Sequence, residues 1–187
     1  DEPRETTAPA APSQPWEALA DTLAEAIVDM PADSAAADLL VYLEAVEYRE
    51  RWSLWPERGR FYEGTEPHGM LLTTYVNDRG RAALLRLLKG EEDHLPLGSV
   101  VVKENFRRDS TLAAVTVMFK AGRTYDPEHH DWFWLKYAPP TEGEGLPAAE
   151  VQAAGRATGC ISCHGDAGEG HDFLMTARAD ADGEGGP

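Results

Sequence analysis

The sequence predicts an α+β fold: a small antiparallel β-sheet packed with helices that precede and follow it. Two observations carry that reading. Apolar residues repeat at helical spacing early in the chain and again near residue 85, and β-branched and aromatic runs separated by short polar turns fill the middle. With 187 residues, 42% of them hydrophobic, the chain can bury one core of ordinary size. Residues 1–15, rich in Ala, Pro, Ser and Thr, read as a flexible tether, 16–178 as one domain, and 179–187 as a frayed acidic tail.

Over 16–30, Trp16, Leu19, Leu23, Ile27 and Met30 mark one helical stripe that Pro31 stops. Asp33 or Ser34 then caps a second helix, whose apolar positions Leu39, Leu40, Leu43 and Val46 continue toward Trp52 until Pro56. After a loop over 57–67, the run from Met70 to Val76, bounded by Gly69 and Asn77-Asp78, reads as a strand with period two. Residues 79–88 return to helical spacing through Ala82, Leu84, Leu85 and Leu88, with Gly90 as terminator. Strands are expected at 99–106, 112–120 and 132–137, and their short connections favour antiparallel neighbours. The stretch 148–157 is expected to be one more helix, delivering the chain to Cys160.

Thirty-three acidic against seventeen basic residues give a formal charge of -16, which repels phosphate backbones and argues against a nucleic-acid partner. That charge serves solubility and suits docking to a basic redox partner protein. No run approaches the about twenty apolar residues that span a bilayer. The opening Asp1-Glu2-Pro3-Arg4-Glu5 has neither the basic nor the apolar region of a signal peptide, as expected of a cytosolic chain or a trimmed one.

The only two cysteines lie in Cys160-Ile161-Ser162-Cys163-His164. Two thiols three residues apart, followed directly by an imidazole, suit thioether attachment of one haem c through Cys160 and Cys163, with His164 as proximal iron ligand. A disulfide, a redox dithiol or half of a zinc site are the alternatives; zinc needs further ligands at fixed spacing, and a dithiol oxidoreductase a βαβ setting. Haem c favours a periplasmic or exported protein, with a removed signal peptide or a lipid anchor ahead of the tether. A sixth ligand would come from Met30, Met70, Met118, Met175, His68, His94, His129, His130 or His171, none designated by spacing. Such a ligand would describe a simple electron-transfer cytochrome.

From 52 to 175 the chain resembles the cytochrome P-460 family and its relative cytochrome c'-beta. The resemblance rests on Pro67-His68-Gly69 leading into the strand from Leu71, on Gly98-Ser99-Val100-Val101-Val102-Lys103-Glu104, on Trp132-Phe133-Trp134, and on the haem motif followed by Phe173-Leu174-Met175-Thr176. It implies an antiparallel-sheet fold, a homodimer, and a five-coordinate haem with an open distal position for a small nitrogen ligand, NO or hydroxylamine. It also implies a bond from the Lys103 side-chain nitrogen to the porphyrin; alternation puts Lys103 with Val101 and opposite Val100 and Val102, which permits that bond or a surface lysine. Where the hydroxylamine-oxidising members carry a proton-accepting carboxylate, this sequence has Thr116, expected on one strand face with Leu112, Ala114 and Met118. A threonine donates a hydrogen bond but is no base at neutral pH. Glu104 and His68 are the alternative proton acceptors. With Leu72, Thr116 and Met118 lining it, the distal pocket is expected to be largely apolar and to favour ligand binding over oxidation of hydroxylamine.

Overall fold

The computed structural model describes residues 15–167 and 171–175; the acidic tail, and all of the tether except Pro15, lie outside them. Helix α1 (Pro15–Ile27) buries Ala20, Ala24 and Ile27, while Leu19 points to solvent. The expected stripe is therefore turned toward the small residues, whose short side chains let the helix lie close to its neighbours. Helix α2 (Ala32–Ala45) starts at Pro31, and neither Asp33 nor Ser34 caps it. Asp33 instead sits in the first turn, where its charge faces the positive end of the helix dipole. The expected continuation to Trp52 is broken: Glu47 adopts φ 48°, and a single turn, α3 (Tyr48–Arg51), leads into β1 (Ser53–Leu54). That break turns Tyr48 and Arg49 toward the sheet, where both bind Glu104.

The described strands form one antiparallel sheet in the order β1-β3-β4-β5-β6-β7, with β2 (Tyr62–Glu63) also pairing with β3 (Leu71–Val76). The central strands β4 (Val100–Phe106), β5 (Leu112–Lys120) and β6 (Trp132–Ala138) lie where the β-branched and aromatic runs predict. Helix α4 (Asp78–Leu87) bridges β3 and β4. Its cap, Asn77, accepts from the Gly80 and Val100 amides and donates to the Gly98 carbonyl, tying the helix start to the sheet. Its buried positions are Gly80, Ala83, Leu84 and Leu87, one residue round from part of the expected stripe.

The expected helix over 148–157 is a strand, β7 (Glu150–Gly155), paired with β6. Alanine-rich sequence favours a helix in isolation, but the unpaired edge of β6 offers a ladder, and tertiary pairing overrides propensity. Small side chains are also needed here. At Gly155, with φ 84°, an added Cβ would lie 3.0 Å from the Cβ of Ala32 on the crossing α2.

Cross-strand register divides the sheet into two covered faces, so β3 is buried on both sides instead of alternating. Tyr75, Val102, Val117 and Leu135 lie opposite one another and pack under α1 and α2 with Phe119, Phe133 and Tyr137. On the other face, Val76, Val101, Met118 and Trp134 form a row covered by α4 and by Ile161 and Leu174 from the C-terminal segment. A β-bulge after Asn105 sets Leu112 opposite Phe106, so Leu112 packs with the helix-covered core and not beside Ala114, Thr116 and Met118.

The loop between β2 and β3 lies close against β4. A Cβ at Gly69 would meet the Phe106 amide nitrogen and carbonyl oxygen at 2.6 Å each, both backbone atoms that cannot swing aside. We expect Gly69→Ala to lower stability by about 2 kcal/mol through this overpacking. An unchanged urea midpoint would contradict that.

Candidate functional site

Helix α5 (Thr158–Gly165) carries the whole Cys-x-x-Cys-His motif. Cys160 and Cys163 are free, half-buried thiols one turn apart, and burial raises the Cys160 pKa. Cys160 and Ile161 pack against the Val101–Met118–Trp134 row, which seats the helix on that sheet face. His164 is buried, its ring 4.9 Å from that of Trp134 at 65°. His164 Nδ1 donates to the Phe173 carbonyl at 2.7 Å; because a carbonyl only accepts, the proton sits on Nδ1 and the Nε2 lone pair is free. An imidazole anchored through Nδ1 to a carbonyl is a ring set to bind a metal through Nε2.

The Phe173 carbonyl is itself held in place. Asp172 and Phe173 take φ of 49° and 60°, a conformation costly for non-glycine residues, and a buried polar cluster maintains it. Asp172 is fully buried and accepts from Lys120 Nζ at 2.7 Å, His130 Nδ1 at 3.0 Å, Trp132 Nε1 at 3.2 Å and the Leu95 amide at 2.7 Å. Lys120 also lies over the Trp132 ring, 4.4 Å from its centroid. Nothing local marks Asp172 in the sequence: an aspartate between His171 and Phe173 has no signature of its own.

On the sheet face that α5 covers, two residues along from the Val101–Met118–Trp134 row, Thr74, Lys103, Thr116 and Lys136 lie directly opposite one another on β3, β4, β5 and β6. Lys103 is half-buried, and among the described residues its ammonium has no hydrogen bond or ion pair. Burial lowers its pKa to about 8, and the charge of Cys163 opposes the fall, which puts the amine within electrostatic reach of the motif. One row further, Leu72 lies opposite Asn105, and Asn105 opposite Ala114. Asn105 Nδ2 donates to the carbonyls of Lys103 at 3.0 Å and Ala114 at 3.2 Å, and to Thr116 Oγ1 at 3.4 Å. Those acceptors fix the amide orientation and leave Oδ1 for His68 Nδ1, 3.1 Å away. The His68 ring stands 6.2 Å from that of His164, centroid to centroid, at 88°. Burial, then the charges of Lys103 and His164, hold the His68 pKa down to about 4, so the ring is neutral near pH 7.

The fold therefore brings together Cys160, Cys163, His164, Lys103, Thr116, Leu72 and His68. It separates Glu104, which faces the opposite core, accepts from Tyr48 Oη at 2.9 Å and pairs with Arg49. Glu104 is not available as a proton acceptor at this site. Met118 is core filler among Trp132, Trp134 and Val101. Met70 and Met175 are exposed, and Met30 packs on the helix-covered side. His94, His129 and His130 gather instead around Asp126, Asp172 and Phe173. The expectation of a largely apolar pocket does not hold: Thr74, Lys103, Asn105, Thr116, Lys136 and His68 make this end of the face polar, because alternation sends Lys103 and Asn105 of β4 to the side not covered by α1 and α2 and only Glu104 to the other.

The residues present fit a covalently bound haem. Among the described residues, two unpaired thiols stand on one helix, an imidazole keeps Nε2 free, Trp134 Nε1 is buried without a partner, and Lys103 is a desolvated cation lacking a counter-ion. Among the described residues no group of three or more His, Cys, Asp or Glu side chains converges as a metal site. No described helix is long and apolar enough to cross a membrane. No family model, curated protein or solved structure matches the chain.

Proposed function

We propose that this chain is a c-type haem protein of the P-460 kind that binds small nitrogen ligands such as NO. Cys160 and Cys163 would hold the macrocycle, His164 the iron, and Lys103 would lie against the porphyrin. The observation that supports this reading is the seating of α5 over the sheet face that carries Lys103 and Thr116, with His164 anchored through Nδ1. When bound, haem supplies the iron at which a neutral ligand is taken up; the chain supplies orientation and a desolvated surround. Thr116 Oγ1, 3.5 Å from the Lys103 carbonyl, can turn its proton toward a ligand but cannot remove one. The test is titration of the reduced, purified holoprotein with NO and CO: the reading expects one ligand per haem, and no spectral change with either contradicts it.

A second reading, oxidation of hydroxylamine, is favoured by one observation. Burial lowers the Lys103 pKa to about 8, which favours the uncharged amine that a bond to a porphyrin carbon needs; that bond would replace a ring C–H and would require an external two-electron oxidant such as a peroxide. Under this reading Lys103→Met converts a broadened, red-shifted Soret band to that of an ordinary c-type haem and abolishes hydroxylamine-dependent dye reduction. Identical spectra for the parent and Lys103→Met, with no dye reduction by either, would set it aside.

A further inference from the structure

We infer that His68 is the second axial ligand of the haem iron, a displaceable one, so that the resting site is six-coordinate and an incoming ligand must first move His68 aside. The inference rests on the haem reading above and goes beyond it, since the resemblance implies an open position. Three observations carry it. The two imidazole rings stand 6.2 Å apart between centroids. Two imidazoles that bind one metal from opposite sides, at metal–nitrogen distances near 2.0 Å, place their centroids about 6 Å apart. A ring whose role was only to hydrogen-bond a bound ligand would have to stand farther from His164 than this.

The tautomers agree. His164 gives its Nδ1 proton to the Phe173 carbonyl and His68 gives its own to Asn105 Oδ1, so each ring keeps the Nε2 lone pair that a metal requires, and among the described residues no hydrogen bond occupies either Nε2. The Asn105 orientation is set by two backbone carbonyls, Lys103 and Ala114, so the His68 tautomer is imposed by the sheet.

The third observation is where the two ligands come from. His164 is held by the buried Asp172 cluster and a helix, whereas His68 lies in the loop between β2 and β3, flanked by the exposed Pro67 and Met70. The loop backbone beside His68 is packed against β4 at Gly69, so displacement falls to the His68 side chain, which a single side-chain hydrogen bond, to Asn105, ties down. The apparent affinity for NO or CO is then reduced by the fraction of time His68 is bound.

The experiment uses the full-length holoprotein as purified. Haem content is read first by intact mass under denaturing conditions; absence of haem overturns the haem reading and this inference with it. With haem present, the inference expects a low-spin ferric spectrum for the parent and a high-spin one for His68→Ala, returned to low spin by added imidazole. His68→Met, which keeps a ligand at the position, stays low-spin and shows a methionine-to-iron charge-transfer band. CO association is about tenfold or more faster in His68→Ala than in the parent. A high-spin ferric parent, or a His68→Ala protein that stays low-spin, overturns the assignment while leaving the haem reading intact.

Discussion

On the haem reading, replacing Cys160 and Cys163 by serine together is expected to remove all covalently held haem: the denatured variant should have the mass of bare polypeptide where the parent is expected to carry one haem. Serine is nearly isosteric, so α5 keeps its contacts with the Val101–Met118–Trp134 row and the variant folds, as an unchanged far-ultraviolet circular dichroism spectrum should report. A thioether needs the sulfur, and the chain has no cysteine besides these two. The single variants each retain one possible attachment point and should hold haem in lower yield. His164→Ala would separate attachment from ligation: both thiols survive, so haem should remain bonded while the iron would lose its proximal imidazole. A Cys160→Ser and Cys163→Ser protein that keeps haem through denaturation would show that the motif is not the attachment site.

Asp172→Asn is expected to lower stability by about 3–5 kcal/mol, the cost of leaving a buried charge without its partner. Lys120, 8% exposed at its side chain, would remain a desolvated cation over Trp132. For a domain of this size such a loss lowers Tm by about 10 °C. The paired variant Asp172→Asn, Lys120→Met should recover much of that loss, because it removes both charges and keeps apolar volume. In the holoprotein Asp172→Asn should also broaden the haem spectrum, since the Phe173 carbonyl that fixes the His164 ring depends on this cluster. Calorimetry of the two variants checks the first effect. A single variant as stable as the parent would mean that the Lys120–Asp172 pair contributes nothing.

The parts of the fold that were legible are those where local pattern and tertiary setting agree. Strands β4, β5 and β6 announce themselves because Val, Phe and Trp runs suit a sheet buried on both faces. β7 was not legible, since Glu150 to Gly155 is written in helix-forming residues and only the free edge of β6 makes it a strand. The break at Glu47 was hidden for a similar reason: what stabilises it is a long-range partner, Glu104, that no local window contains.

The site divides in the same way. Cys160, Cys163 and His164 are adjacent in sequence, and their chemistry is in their spacing. Lys103 was placed on one face by alternation, and that same alternation assigns Glu104 to the opposite face, which removes it from the site. His68 and His164 meet only through the pairing of β3 with β4 and the packing of α5, and the Asn105 bond that selects the His68 tautomer depends on register. The sequence offered His68 as one of several histidines; the fold alone puts it beside His164.

The most direct test of the account is the intact mass of the purified protein under denaturing conditions, after expression in a host that matures c-type cytochromes, read together with its ferrous optical spectrum. The account predicts the polypeptide plus one haem and a c-type spectrum that changes on adding CO. A mass equal to the bare polypeptide would contradict it.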